Sequence, residues 1–192
     1  MGIAILGAAA LVFEDMRLTY GSFPLTIAFL FLLLFFRDPE RVPGAGIVSP
    51  ADGRVLAADA SRGRLVVFMG IHNVHVNRAP LNGCVVRMTY TRGGHSAANR
   101  EAAAGNERLT SVLETPLGQI TVLQVAGLLA RRIVPYLREG DRVKKGQRIG
   151  MIRFGSRVEL ALPEGVRFVV GPGDRVRAGE TTVAEVGDGV AR

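Results

Sequence analysis

From Gly46 onward the chain offers only short apolar runs, each ended by glycine-rich punctuation, and this pattern constrains the fold more than any other feature. Gly53–Ala58, Arg64–Met69, Cys84–Tyr90, Leu109–Thr115, Gln119–Val125, Val158–Leu162 and Arg167–Val170 have the length of strands. Asp52-Gly53, Asn82-Gly83 and Pro172-Gly173 supply turns beside them. One stretch, Ser96–Ala104, reads as a helix capped by Ser96. The expectation is a mainly β fold, an antiparallel sandwich or flattened barrel. The 24 glycines among 192 residues agree, since glycine favours turns over helix interiors. Cys84 is the single cysteine, which excludes an intrachain disulfide and a cysteine-clustered zinc site.

The first 36 residues follow another rule. Met1 to Phe13 is uncharged and mostly apolar, Glu14-Asp15-Met16-Arg17 interrupts it, and a second uncharged run spans Leu18 to Phe36. As a helix at about 1.5 Å per residue, the second run would reach roughly 28 Å, close to the hydrocarbon thickness of a bilayer. The expectation is a membrane-anchoring segment over 1–36, either one spanning helix or a hairpin with Pro24 near its bend. A removed signal peptide fits less well, because no basic residue precedes Arg17 and Phe35-Phe36-Arg37-Asp38-Pro39 is a poor cleavage site. Arg37 and Arg41 follow the run directly, which favours a cell-membrane protein whose globular part, residues 37–192, is cytoplasmic.

Charge separates the same two regions. Residues 1–36 hold Glu14, Asp15 and Arg17 alone, a net of −1, leaving +8 for the remainder within a total of +7. A basic globule attracts nucleic acid or anionic lipid. Aromatics interleaved with the basic residues would favour nucleic acid, and they nearly vanish after Phe36. Lipid is the expected partner.

A phrase repeats inside the globular part. Glu139-Gly140-Asp141-Arg142-Val143-Lys144-Lys145-Gly146 returns as Pro172-Gly173-Asp174-Arg175-Val176-Arg177-Ala178-Gly179. It resembles the turns of lipoyl- and biotinyl-carrier domains with their β-hammerhead folds. Lys144-Lys145 lies inside the phrase rather than at a hairpin tip, so the resemblance concerns fold and not carrier chemistry.

Four local signals bear on chemistry. Ser49-Pro50-Ala51-Asp52-Gly53 forces a tight turn presenting a carboxylate, which taken alone reads as a turn aspartate bonding its own backbone. Gly70-Ile71-His72-Asn73-Val74-His75-Val76-Asn77-Arg78 holds two of the three histidines; three residues apart, they share one site only if the backbone bulges or turns. No further ligand lies at a convincing spacing, so no metal is expected there. Phe154-Gly155-Ser156-Arg157 follows the first repeat and by itself reads as a turn. Arg92-Gly93-Gly94-His95-Ser96 is a glycine loop whose histidine could line a substrate pocket.

As a set, these segments resemble the phosphatidylserine decarboxylase family, in its short form close to archaetidylserine decarboxylases. The resemblance rests on the apolar start, Arg37-Asp38-Pro39, the Ser-Pro-Ala-Asp-Gly turn, His72-x-x-His75-x-Asn77 with Pro80-Leu81-Asn82-Gly83, and Phe154-Gly155-Ser156. Longer members carry a small residue after the serine, where this chain has Arg157. The resemblance implies a precursor that cuts itself between Gly155 and Ser156. Ser156 would attack the Gly155 carbonyl, and β-elimination from the resulting ester would release residues 1–155. The dehydroalanine left behind would hydrolyse to a pyruvoyl group and ammonia, with both chains staying associated. It further implies that Asp52 and His75 activate Ser156, that the pyruvoyl ketone forms a Schiff base with the serine headgroup, and that His72 serves acid–base catalysis.

These types suit the chemistry. A serine hydroxyl is a weak nucleophile until an oriented imidazole takes its proton. A ketone sink stabilises the carbanion of decarboxylation. The expected function is conversion of phosphatidylserine to phosphatidylethanolamine and carbon dioxide, in phospholipid biosynthesis, with no nucleic acid partner and a homodimer left open. His95, Arg78 and Arg92 are expected at the substrate because they lie near these motifs. The alternative is a non-catalytic membrane-anchored adaptor with a carrier-like β-hammerhead. A plain serine hydrolase lacks its usual Gly-x-Ser-x-Gly elbow around Ser156.

Overall fold

In the computed structural model, the described residues are 20, 22–94, 105–127, 132–153 and 156–186. The chain divides into two compact units, Met1–Arg37 and Asp38–Arg192. Within the first, residues 22–35 form a helix whose Phe23, Leu25, Ile27, Phe29 and Leu33 are exposed. No helix among the described residues is long and apolar enough to cross a membrane, so the expected spanning helix is not supported. The first arm of the alternative hairpin and the expected helix at 96–104 lie outside the described residues.

The second unit is mainly β. Its strands are β1 (Ile47–Val48), β2 (Gly53–Asp59), β3 (Arg64–Met69), β4 (Val76–Arg78), β5 (Gly83–Thr91), β6 (Arg108–Thr115) and β7 (Gly118–Ala126). There follow β8 (Ile133–Pro135), β9 (Arg142–Val143), β10 (Arg148–Ile152), β11 (Ser156–Ala161), β12 (Val166–Phe168), β13 (Arg175–Val176) and β14 (Thr182–Val186). They form an eight-stranded sheet in the order β13-β2-β3-β11-β7-β6-β5-β9 and two three-stranded sheets, β4-β10-β8 and β1-β14-β12. All strand pairs are antiparallel. Alternation drives this arrangement: Leu109, Leu113, Ile120, Val122, Val158 and Leu160 point inward and bury together, at roughly 1.5–3 kcal/mol for each such side chain.

The repeated phrase caps both edges of the large sheet. β9 pairs with β5 on one edge and β13 with β2 on the other. The bonding is alike at the two ends: Val85 N–H donates to Asp141 O, and Val55 N–H to Asp174 O, both at 2.9 Å. Val143 and Val176 are the buried anchors. Gly146 and Gly179 have positive φ, and a Cβ on Gly179 would fall 2.8 Å from the Arg78 side chain.

Candidate active site

The strand register aligns one end of the eight-stranded sheet. Gly53 faces Val176, Arg54 faces Phe68, and Met69 faces Ser156. Ser156 also faces Ala126, and Arg108 faces both Val125 and Thr91. Ser156 therefore stands at the middle of that end, as the first residue of β11, whereas the Gly-Ser pair alone suggested a turn. Its side chain is fully buried, at 0% exposure, and its hydroxyl lies 3.2 Å from Met69 Sδ. A thioether is a weak acceptor, so this contact holds the hydroxyl lightly. Asn77 Nδ2 approaches the same sulfur at 3.5 Å, and Gln124 Nε2 donates to Asn77 Oδ1 at 2.7 Å, giving Ser156 a buried polar surround.

Beyond Met69 the chain turns instead of continuing as a strand. Asn73 N–H donates to Gly70 O at 2.9 Å, while Gly70 N–H donates to Asn73 Oδ1 at 2.8 Å. This turn sends the two histidines to different places: His72 is exposed and His75 is fully buried, at 0%. His75 Nδ1 lies 2.9 Å from Asn73 O. A carbonyl oxygen can only accept, so Nδ1 carries the proton and Nε2 is the basic nitrogen. His75 O in turn accepts from Ile152 N–H at 3.2 Å, tying this segment to the end of β10, four residues before Ser156.

Asp52, 7% exposed, sits in the predicted turn just before β2. Its carboxylate accepts from Ala178 N–H at 2.7 Å and from both terminal nitrogens of Arg41, at 2.5 and 3.0 Å. Burial alone would lower the Arg41 guanidinium value; the bond to Asp52 and its charge outweigh that and raise it. The Asn73 carbonyl thus helps to orient His75, and Asp52 is paired with Arg41, which also donates to Ala178 O at 2.8 Å. Arg41 belongs to a strap, residues 38–41. Asp38 accepts from Arg78 at 2.8 Å and also pairs with Arg148, which bonds Glu40 at 2.7 Å. Arg78 is buried there, donating to Pro39 O at 2.9 Å and to Gly146 O at 3.0 Å. It lines neither cavity described below, and its contacts clamp the strap.

Two cavities lie on opposite sides of Ser156 in the strand order, and Ser156 itself lines neither. On the β3 side, about 440 Å³ is lined by Asp52, His72, Asn73, Arg54 and Arg175 among others. On the β7 side, about 810 Å³ is lined by Tyr90, Arg92, Glu107, Arg132, Ile133 and Arg153. Arg92 therefore stands at a cavity, while Gly155 and His95 lie outside the described residues.

A sequence profile of the phosphatidylserine decarboxylases matches residues 28–184. The chain belongs to this family. It is 52% identical over 154 residues to an Archaeoglobus fulgidus protein named as a candidate archaetidylserine decarboxylase proenzyme, covering 79% of this chain and 76% of that one. It is 46% identical over 156 residues to the phosphatidylserine decarboxylase proenzyme of Streptomyces griseus, covering 79% and 73%. With the corresponding proenzyme of Polynucleobacter asymbioticus it shares 40% over 196 residues, covering 96% and 91%. The family makes the chain a carboxy-lyase and sets the adaptor reading aside.

Several site residues escaped the sequence reading. Asn73 lay within the histidine segment, where an asparagine between two histidines was itself a signal. Arg41 was assigned to orientation in the membrane, and only the fold brings it to Asp52. Arg132 and Arg153 come together through the pairing of β8 with β10.

Proposed function

We propose that the chain is a self-processing, pyruvoyl-dependent decarboxylase that converts phosphatidylserine, or its archaeal-type counterpart, to the ethanolamine lipid and carbon dioxide. The observation that carries this reading is the position of Ser156: fully buried at the first position of β11, its hydroxyl held, among the described residues, by a thioether. A hydroxyl so placed is shielded from water and lightly bound, which suits attack on its own preceding peptide carbonyl over hydrolysis. His75, with Nδ1 fixed by Asn73, takes the Ser156 proton at Nε2. Asp52, held by Arg41, supplies a fixed carboxylate for this activation.

A pyruvoyl group at residue 156 would supply an electrophilic carbonyl able to delocalise the electron pair that loss of carbon dioxide leaves on the substrate α-carbon. Its position suits such a group, because burial excludes the water that would intercept a carbanion. His72, on the same cavity as Asp52, returns a proton to the α-carbon. The exposed apolar side chains of the 22–35 helix and the +8 globular part support attachment at an anionic membrane face, with the helix dipping into one leaflet. The paired edge caps support a β-hammerhead-like fold in the globular part.

Maturation is tested on a denaturing gel. Wild type runs as two chains, 1–155 and 156–192, and the smaller one lacks a free amino terminus by mass spectrometry. Ser156→Ala remains one chain and releases no carbon dioxide from phosphatidylserine. A wild-type preparation that decarboxylates as a single unbroken chain of full calculated mass would overturn the proposal.

A further inference from the structure

We infer that the cavity on the β7 side of Ser156 is the phosphodiester site of the lipid headgroup, with Arg92, Arg132 and Arg153 as its ligands. This rests on the proposed decarboxylase reading and names the part of the substrate that reading leaves unplaced. The cavity, about 810 Å³, carries three guanidiniums and one carboxylate, Glu107. Glu107 is already engaged: it accepts from the Tyr90 hydroxyl and, at 3.2 Å, from Ile133 N–H. Burial, then the bond to Glu107, push the Tyr90 phenol up, so it stays a donor. Among the described residues none of the three arginines forms an ion pair, unlike Arg41, Arg64, Arg78, Arg148, Arg157, Arg167 and Arg177. Unpaired guanidiniums converging on one concavity leave their forked donors for an anion with several acceptor oxygens.

Reach agrees. Arg153 precedes Ser156 by three residues, so their Cα atoms stand at most about 11 Å apart. In a phosphoserine headgroup the phosphorus lies only a few bonds from the reacting amine. An amine at residue 156 therefore leaves the phosphate within range of a long arginine side chain. The β3-side cavity suits this anion less. It contains the Asp52 carboxylate, its Arg177 pairs with Glu180, and its Arg54 donates to Gly173 O at 3.2 Å. A phosphate also comes as a free ion, so the test separates the diester from the inorganic species.

The measurement uses the mature two-chain enzyme with phosphatidylserine in mixed micelles. Arg132→Gln is expected to raise the apparent KM about tenfold or more, with kcat within twofold and maturation unchanged on the gel. Arg132→Lys, which keeps the charge, recovers part of the loss. Glycerophosphoserine, the headgroup without tails, competes with the lipid in wild type and competes at least tenfold less well in Arg132→Gln. Inorganic phosphate competes more weakly than glycerophosphoserine. An unchanged KM in Arg92→Gln, Arg132→Gln and Arg153→Gln, each fully matured and active, overturns the site and leaves the decarboxylase reading intact. Inorganic phosphate binding as well as glycerophosphoserine, without opposing the lipid, also overturns it. If wild type releases no carbon dioxide from phosphatidylserine, the decarboxylase reading fails by itself. Calorimetry with glycerophosphoserine then decides the cavity, binding lost in Arg132→Gln supporting it and binding equal in both proteins overturning it.

Discussion

The two flanks of Ser156 are built on opposite principles. On the β3 side the carboxylates near the reaction are wired: Asp52 to Arg41 and Ala178 N–H, and, farther along the strap, Asp38 to Arg78 and Arg148. On the β7 side the arginines stand without carboxylate partners among the described residues, around a larger cavity. A group that must hold one protonation state and one orientation gains from fixed partners, which preorganise it at no cost during the reaction. A group that must receive an incoming anion loses by having a partner to displace. The difference assigns chemistry to one flank and binding to the other, and variants on each should move different observables.

The largest effect falls on the wired flank. His75→Ala removes the base and should leave a single uncleaved chain on the denaturing gel, with no carbon dioxide released. His72→Ala should mature and then turn over about 100-fold or more slowly, the usual range for losing an acid–base group. If His75→Ala cleaves normally while His72→Ala does not, the roles of the histidines are exchanged and the comparison breaks at its centre.

Arg41→Gln comes next. Both side chains of the Arg41–Asp52 pair are at most one-tenth exposed, so the change leaves a buried carboxylate with only Ala178 N–H as a strong donor. Breaking one side of such a pair costs about 3 kcal/mol, readable in urea unfolding. Maturation should slow, while the KM of the fraction that does mature stays as in wild type. A raised KM with normal maturation would put Arg41 on the binding side and erase the distinction between flanks. Asp38→Asn should destabilise by about 2 kcal/mol, because it strips a charge from the buried Arg78 clamp, which keeps Pro39 O and Gly146 O.

Much of this was legible from residue patterns, and the remainder was hidden for identifiable reasons. Arg64–Met69 was read with both ends correct, because buried Leu65, Val66, Val67 and Met69 lie between Gly63 and Gly70. The expected strand at 158–162 begins two residues earlier in the fold, so Ser156 belongs to the ladder and not to the turn. β10 went unread: Ile149, Gly150, Met151 and Ile152 are all buried, so the inward–outward alternation of a half-exposed strand is missing. The repeat was visible, but its use as caps on opposite sheet edges depends on long-range pairing that no local pattern encodes. The same holds for the site. Ser156 and His75 were marked by local motifs, whereas the Arg41–Asp52 pair and the Arg132–Arg153 neighbourhood exist only once distant strands are in register.

The smallest effect belongs to Glu40, at the outer end of the strap. Its carboxyl is held below the ordinary value of 4.5 by the hydrogen bond from Arg148 and then by that charge. A carboxyl lowered in the folded state contributes stability above its unfolded value, and loses it as pH falls through its folded value. Any contribution from Glu40 is thus present at neutral pH and disappears only below about pH 4.5. The group is fully exposed, however, and water and salt screen an exposed pair almost completely. Glu40→Gln should therefore unfold with wild type at pH 7 and at pH 4 in 0.15 M salt, and should mature at the wild-type rate. Asp38→Asn, one shell further in, should separate clearly from both. Should Glu40→Gln instead slow maturation as Arg41→Gln does, the wiring of the β3 flank would extend to the solvent edge of the strap, and the boundary between the wired and unwired parts of the molecule would have to be drawn further out.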